Sequence, residues 1–495
     1  MKTNTLDFDA QALREKILDL AMRGKLVPQD PNDEPASVLL KKIKAEKEQL
    51  IKEKKIKKSK PLAPITDDEK PFDIPDSWEW VRLGDVGEII SGGTPKTSEK
   101  SYWENGNIPW ITPAIMSDTQ DDLIFNNKQI KFINKLGLEK SSAHLILKNS
   151  LVVSSRAPIG YVNIVPFDYT TNQGCKSVSL YSNTAKEFVY FALKNAVPDM
   201  IKRASGTTFK EISGTKFGQT IIPLPPLEEQ SRIAAKIAQL FALLRKVESS
   251  TQQYAKLQTL LKSKVLDLAM RGKLVKQDPH DEPASVLLEK IKAEKEKLVK
   301  EGKIKKSKPL PPITDDEKPF DIPDSWEWVR LGEIVDVKGG KRVPKGSQLK
   351  DIQDYKPYIR VSDMKHGTIN TSKLKYATKS IYEQIHNYFI SSEDIYFSIA
   401  GTIGKVGEIP QFLDGALLTE NASKLVLFDD NKIKKDYLII VLGSELIKLQ
   451  HRKVLSRVTQ PKLALSKLKN TIIPFPPLSE QNLITKKIRT ITKLL

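Results

Sequence analysis

The residues of this chain that could do chemistry are hydroxyls, amides and cations held in loops marked by glycine and proline. In the first half, Ser91-Gly-Gly-Thr-Pro-Lys offers Thr94 and Lys96, and Pro109-Trp-Ile-Thr offers Thr112. Ser154-Ser-Arg offers Ser155 and Arg156, and Gly206-Thr-Thr-Phe-Lys offers Thr207, Thr208 and Lys210. In the second half, Lys338-Gly-Gly-Lys-Arg and Pro344-Lys supply Lys341, Arg342 and Lys345. Arg360 and Ser362 follow, then Thr402 and Lys405 in a glycine-rich turn, then Arg457, Thr459 and Gln460. An Arg can fork onto guanine, a Gln can pair with adenine, and Ser, Thr and Lys can hold phosphates. Singly, each is an ordinary surface residue; as a set they suit the reading of nucleic acid.

Residues that make or break bonds are missing from the pattern. The five histidines, at 144, 280, 366, 386 and 451, are scattered, and none stands in ligand spacing with the single cysteine, Cys175. No Asn/Asp-Pro-Pro-Tyr/Phe segment supports a base-methylating pocket, and no Gly-x-x-x-x-Gly-Lys-Ser/Thr loop supports a nucleotide motor. Gly401-Thr-Ile-Gly-Lys-Val-Gly has the wrong spacing for a dinucleotide fold and predicts a tight turn between strands. Pro75, Asp76 and Glu79 lack the following Lys of a nuclease set, since position 81 is Val81; the same string recurs at 323–329, which makes it structural. No metal ligands and no catalytic residues are assigned.

The chain has 495 residues, of which 39% are hydrophobic, enough for two or three domains with cores of their own. One cysteine excludes a disulfide framework and fits a reducing compartment. The N-terminus lacks an apolar signal region and no stretch approaches a membrane span, so a cytoplasmic protein is expected. The net charge of +19 points to a polyanion. Residues 41–60 carry ten Lys against three Glu, and residues 289–308 nine Lys against four Glu. These runs are either solvated helix faces or an attraction to DNA phosphates.

What must position the loops is a frame that occurs twice. Residues 16–24 recur at 264–272 with only Ile17 changed, to Val265. The match runs without a gap through Asp-Glu-Pro-Ala-Ser-Val-Leu-Leu and through Ile-Pro-Asp-Ser-Trp-Glu-Trp-Val-Arg-Leu-Gly, at 74–84 and 322–332. Ile-Ile-Pro-Leu-Pro-Pro-Leu-Glu-Glu-Gln at 221–230 likewise matches 472–481. Between these borders the two halves diverge, which suggests one frame presenting two different surfaces.

The frame is built on a long helix. Ile233, Ile237, Leu240, Leu244, Val247, Thr251, Tyr254, Gln258, Leu261, Val265 and Leu268 alternate by four and three, a heptad seam with polar breaks at Thr251 and Gln258. From Ile233 to Leu268 it spans roughly 50 Å at 1.5 Å per residue. Such a seam needs a partner helix. Ile484, Ile488, Ile491 and Leu495 match the start of this pattern, and Leu6, Leu13, Ile17 and Leu20 match its end. The two termini laid end to end therefore make a second copy, pairing antiparallel with the first. The expected fold is α+β: two α/β globular regions separated by a pair of long antiparallel coiled-coil helices, pseudo-twofold and circularly arranged. Residues 1–24 and 478–495 form the halves of the distal helix, 226–272 the central helix, 25–77 and 273–325 charged helical linkers, and 78–225 and 326–477 the globular regions. The spacer positions are Leu13, Ile17, Ile233, Ile237, Leu240, Leu244, Leu261, Val265, Ile484 and Ile488. Gly24 and Gly272 are expected to cap helices, and Pro35 and Pro283 to start them. Leu145–Ser154 with Tyr161–Val165, and Asp394–Ser398 with Lys405–Ile409, are expected strand pairs.

This pattern resembles the specificity subunit of type I restriction–modification systems. The resemblance covers essentially the whole chain. It rests on the duplicated Leu-Asp-Leu-Ala-Met-Arg-Gly-Lys-Leu-Val, on Asp-Glu-Pro-Ala-Ser-Val-Leu-Leu, on Ile-Pro-Asp-Ser-Trp-Glu-Trp-Val, and on Pro-x-Pro-Pro-Leu-x-Glu-Gln before each long helix. It implies two target recognition domains, 78–225 and 326–477, each reading half of a bipartite double-stranded DNA sequence. The paired helices would act as a ruler and dock two methyltransferase (modification) subunits. Those partners would bring S-adenosylmethionine, and a restriction–translocase subunit would bring ATP and Mg; this chain would bind no cofactor and catalyse nothing. The family offers no fixed base-reading residues to carry over. Two other readings stay open: a self-sufficient DNA-modifying enzyme with an unfamiliar site, and a structural coiled-coil scaffold.

Overall fold

The computed structural model describes residues 9–58, 60–181, 184–206, 210–455 and 461–494. The chain divides into two compact units, Met1–Gln252 and Gln253–Leu495. The central helix, Leu227–Met270, is continuous over 44 residues. That is about 66 Å at 1.5 Å per residue.

In the first unit, the helix Ala10–Met22 is capped by Asp9, whose carboxylate accepts the Ala12 N–H at 2.9 Å. It ends at Gly24, as expected: φ is +67°, and the Lys25 N–H reaches back to the Leu20 carbonyl at 2.8 Å. A Cβ here would stand 2.4 Å from Pro75, so only glycine fits both the turn and the neighbour. This helix runs antiparallel to the first part of the central helix: Arg14 pairs with Glu248 at 2.6 Å, while Asp33, beyond its end, pairs with Arg232 at 2.5 Å. The lysine-rich helix Ala36–Lys52 buries only Ala36, Leu39 and Ile43. Pro35 stands one residue before its first turn, as the cap.

The globular region is closed by its own ends. Strand Glu79–Arg82 pairs antiparallel with Ile221–Leu224. Just before it, Trp78 is buried and its indole N–H donates to Glu229 at 2.8 Å, while the Gln29 amide donates to the other carboxylate oxygen at 2.5 Å. One carboxylate in the first turn of the central helix thus joins three segments far apart in sequence. Burial pushes Glu229 above the ordinary carboxylate range, against the pull of these two donors. Inside, a four-stranded antiparallel sheet runs in the order Gly87–Ser91, Cys175–Leu180, Leu151–Ser155, Ile159–Ile164, packed on the helix Lys186–Arg203. A smaller mixed sheet of Lys131–Ile133, Ile108–Ile111 and Thr170–Thr171 stands beside it. The expected strand from Leu145 is shorter than predicted. Asn149 sits at φ +68°, a left-handed turn that no strand can run through.

The second unit repeats this plan. Gly272 (φ +66°) ends the central helix against Pro323, Trp326 donates to Glu480 at 2.8 Å, and Gln277 donates to the same carboxylate. Strand Glu327–Arg330 pairs with Ile472–Phe475. The four-stranded sheet runs Val335–Gly339, Ala422–Leu427, Ile395–Ser398, Val406–Glu408, antiparallel throughout. The expected pairing across Gly401-Thr-Ile-Gly404 is found as a tight turn, with φ of +71° and +91° at the two glycines. Val265, Ala269, Ile484 and Ile488 share this unit's main core.

The heptad seam is covered only in part. Ile233, Ile237, Leu244, Val265, Ile484 and Ile488 are buried, and Ile17 and Leu240 are partly so. Leu13 and Leu261, expected inside it, are 42% and 45% exposed. Burial follows the globular regions and not the heptads: it is strong where a terminal helix and a domain core both cover the central helix, and it fades along Val247, Tyr254 and Leu257.

One buried titratable group gives a pH prediction. His451 packs edge-on to Phe397, its Nε2 lies 2.9 Å from the Thr471 hydroxyl, and burial lowers its pKa from 6.5 to about 4. A base depressed in the folded state contributes stability that is complete above pH 6.5 and is lost as pH falls towards 4. At about 1.4 kcal/mol per unit, the loss is on the order of 3 kcal/mol. Urea denaturation at pH 7 and pH 5 should show a larger drop for the natural chain than for His451→Gln.

Candidate nucleic-acid interface

In each unit the loops at one end of the four-stranded sheet converge, and the backbone of this end is the same in both. After the first strand, Gly92 N–H reaches the Cys175 carbonyl and Gly93 N–H the Thr171 carbonyl, at 3.3 and 2.9 Å. In the second unit Gly340 reaches Ala422 and Lys341 reaches Leu418, at 3.0 and 2.9 Å. A Cβ on Gly92 would fall 2.0 Å from the Asn172 carbonyl, and one on Gly340 2.1 Å from that of Thr419. Glycine is therefore required where these chains cross. An aromatic residue fixes the next carbonyl: Trp110 Nε1 donates to Gly93 O at 3.1 Å, and the Tyr358 hydroxyl to Lys341 O at 2.8 Å.

This crossing locks one loop residue against one turn residue. In the first unit the pair is Thr94 and Gln173, joined by a hydrogen bond between hydroxyl and side-chain amide. In the second it is Arg342 and Glu420, joined at 2.7 Å, with the Arg342 side chain 79% exposed. Burial raises the Glu420 carboxyl; the Arg342 guanidinium, a backbone N–H and Thr419 outweigh it, so the group titrates below the ordinary range. Gln173 and Glu420 were not among the sequence candidates. The signal for them is the alignment of the two turns, Asn172-Gln-Gly and Thr419-Glu-Asn, which is fixed only by the strand registers.

Other candidates gather at the same ends. The Arg156 guanidinium reaches Glu211 at 3.7 Å and lies beside Gly174. Lys176, though buried, bonds Glu211, the Gln173 carbonyl and the Ser155 hydroxyl. Thr112 caps a short helix whose Pro113 lies against Gly174, and Lys96 and Lys210 are exposed. In the second unit Lys341 lies over the Tyr388 ring, and Lys345 and Thr402 are exposed.

Four assignments are corrected. Ser155 is fully buried and its hydroxyl serves Lys176, out of reach of a phosphate. The exposed tip beside it is pinned by Ser154, whose hydroxyl donates to Pro158 O and accepts from Gly160 and Tyr161 N–H. Ser398 does the same with Thr402 O and Lys405 N–H, so Ser154 and Ser398 hold equivalent positions in the two units. Arg360 is held by Asp363 through two side-chain hydrogen bonds and by the Lys373 carbonyl, and Ser362 bonds the same Asp363. Lys405 donates to the Val361 carbonyl at 2.8 Å. Arg360, Ser362 and Lys405 thus shape the loop. Thr207, Thr208, Arg457, Thr459 and Gln460 lie outside the described residues.

Two regions of the chain, 75–258 and 323–495, match the model of the type I restriction modification DNA specificity domain. The chain belongs to that family. Similar curated relatives include the EcoAI specificity subunit of Escherichia coli, 33% identical over 98% of this chain and 90% of its own length. The EcoEI specificity subunit of the same organism is 35% identical over 66% of this chain and 62% of its own. A solved chain from work on complex assembly and conformational transition of the type I R-M system aligns with a TM-score of 0.57 at 19% identity, over 86% and 92% of the two chains. The HsdS subunit of Thermoanaerobacter tengcongensis aligns at 0.52, 18%, 86% and 91%. These two likenesses concern the fold. As a type I specificity subunit, the chain has DNA target recognition as its role. Among the described residues no group of three or more His, Cys, Asp or Glu could hold a metal ion, and no helix is long and apolar enough to cross a membrane.

Proposed function

We propose that this specificity subunit reads a bipartite double-stranded DNA target, one half-site per unit, through the converging loop ends. The carrying observation is that both ends share one backbone frame and differ in the side chains it presents: Thr94 and Gln173 in one, Arg342 and Glu420 in the other. The central helix would set the unread gap. Its exposed apolar stretch and the terminal helices would dock two methyltransferase subunits, which bring S-adenosylmethionine. A restriction–translocase subunit would add ATP and Mg.

Selection of bound duplexes from a random pool by the full chain tests this; two enriched half-sites at fixed spacing are expected. No enrichment would favour a scaffold, and methyl transfer by the purified chain alone would favour a self-sufficient enzyme. Arg156 stands only in the first unit, since Ala400 takes its place in the second: Arg156 bridges Glu211 as Ala400 bridges Lys462. Arg156→Ala should therefore weaken one half-site by roughly 10-fold, within the 1–3 kcal/mol of a base contact, and spare the other. Equal loss at both would make Arg156 structural.

A further inference from the structure

We propose that the two locked pairs each read one base pair, an A·T pair by Thr94 and Gln173 and a G·C pair by Arg342 and Glu420. The inference rests on the reading of these ends as DNA-recognition surfaces and adds the base identity at one position of each half-site.

The argument begins with equivalence. The strand registers and the glycine crossings place Thr94 where Arg342 stands and Gln173 where Glu420 stands. The turn residues are tied to the rest of the end in the same way: Ser155 N–H bonds the Gly174 carbonyl at 2.7 Å, and Ile399 N–H bonds that of Asn421 at 2.8 Å. Both pairs therefore meet a ligand in the same place, and only their chemistry differs.

That chemistry is complementary to whole base pairs. In the major groove guanine offers two acceptors, and its partner cytosine offers an amino donor. Arg342 is all donor and the ionised Glu420 is all acceptor, so the ion pair can open onto the two edges of one G·C pair. Adenine offers an acceptor beside an amino donor, and its partner thymine carries a methyl group. The Gln173 amide donates and accepts side by side, and Thr94 supplies a methyl group as well as its hydroxyl. Neither pair fits the other's target: placing Arg342 opposite the adenine amino group sets donor against donor, and Gln173 on guanine leaves half its amide unmatched. Prealignment also lowers the cost of ordering two long side chains on binding.

The decisive experiment exchanges the pairs in the full chain. Thr94→Arg with Gln173→Glu should convert one position of the first half-site from A·T to G·C, with a preference change of roughly 10-fold or more. Arg342→Thr with Glu420→Gln should do the reverse in the second half-site. In each case the untouched half-site is read as before, which shows that the chain is folded. Half-sites that stay enriched with the same bases after both exchanges would overturn the assignment and leave bipartite recognition standing. If the unexchanged chain enriches no sequence, the underlying reading fails with it.

Discussion

Trp326→Ala is expected to destabilise the second unit by at least about 3–5 kcal/mol, the usual cost of emptying a buried Trp site. Trp326 is 3% exposed and anchors the main core of its unit. The truncation also strips a donor from Glu480, a carboxylate 2% exposed whose remaining side-chain donor is Gln277. Trp326→Phe separates the two effects. It keeps most of the apolar burial and loses only the indole N–H, at about 1–3 kcal/mol for the acceptor left unpaired. Burial already holds Glu480 above its ordinary range. A carboxyl raised in the folded state favours folding below its unfolded pKa and loses that contribution as pH rises. The Phe variant removes the donor that favours ionisation, so its deficit should shrink on acidification. Peptide-resolved hydrogen exchange would check the location: Trp326→Ala should lower protection in residues 253–495, and Trp78→Ala in residues 1–252. Loss in the opposite unit would show that the Trp–Glu–Gln junction is not local.

The frame was legible because it is written twice. The glycine and turn repeated at Gly24 and Gly272 mark a helix cap, and both glycines are left-handed; the repeated Trp-Glu-Trp-Val marks a structural joint, although not its partner Glu229. The site was legible as a set of loops and not as individual roles. Arg360 and Ser362 looked like free contacts because spacing does not reveal that Asp363 folds back on both. Ser155 and Ser154 differ by one step on a strand, which decides whether a hydroxyl faces the core or the turn. Gln173 and Glu420 were missed because each meets its loop partner 79 or 78 residues away through a sheet register. Heptad arithmetic overextended the seam to Leu13 and Leu261, since a pattern states what a helix could bury and not how much cover the fold supplies.

Inserting four helix-forming residues after Thr251 is expected to lengthen the preferred gap between half-sites by about two base pairs. Four residues add about 6 Å of helix and a turn of about 400°, or roughly 40° beyond a full revolution. Two base pairs add about 7 Å and roughly 70° at 10–10.5 pairs per turn, so distance and facing advance nearly together. The position suits the test. The Thr251 hydroxyl bonds back to its own helix at Val247 O, and Tyr254 and Leu257 just beyond are more than half exposed, so no described core is opened. A two-residue insertion is the sharper control. It adds only about 3 Å but turns the following helix by about 200°, which would face one reading end away from the duplex. Simultaneous engagement would then be lost, and affinity for the bipartite target should fall by roughly 10²–10⁴-fold while each single half-site is still read. Selection from a pool with variable gaps measures both variants at once. A four-residue variant that keeps the original gap would refute the helix as ruler, because a rigid helix cannot grow by a turn without moving what it separates.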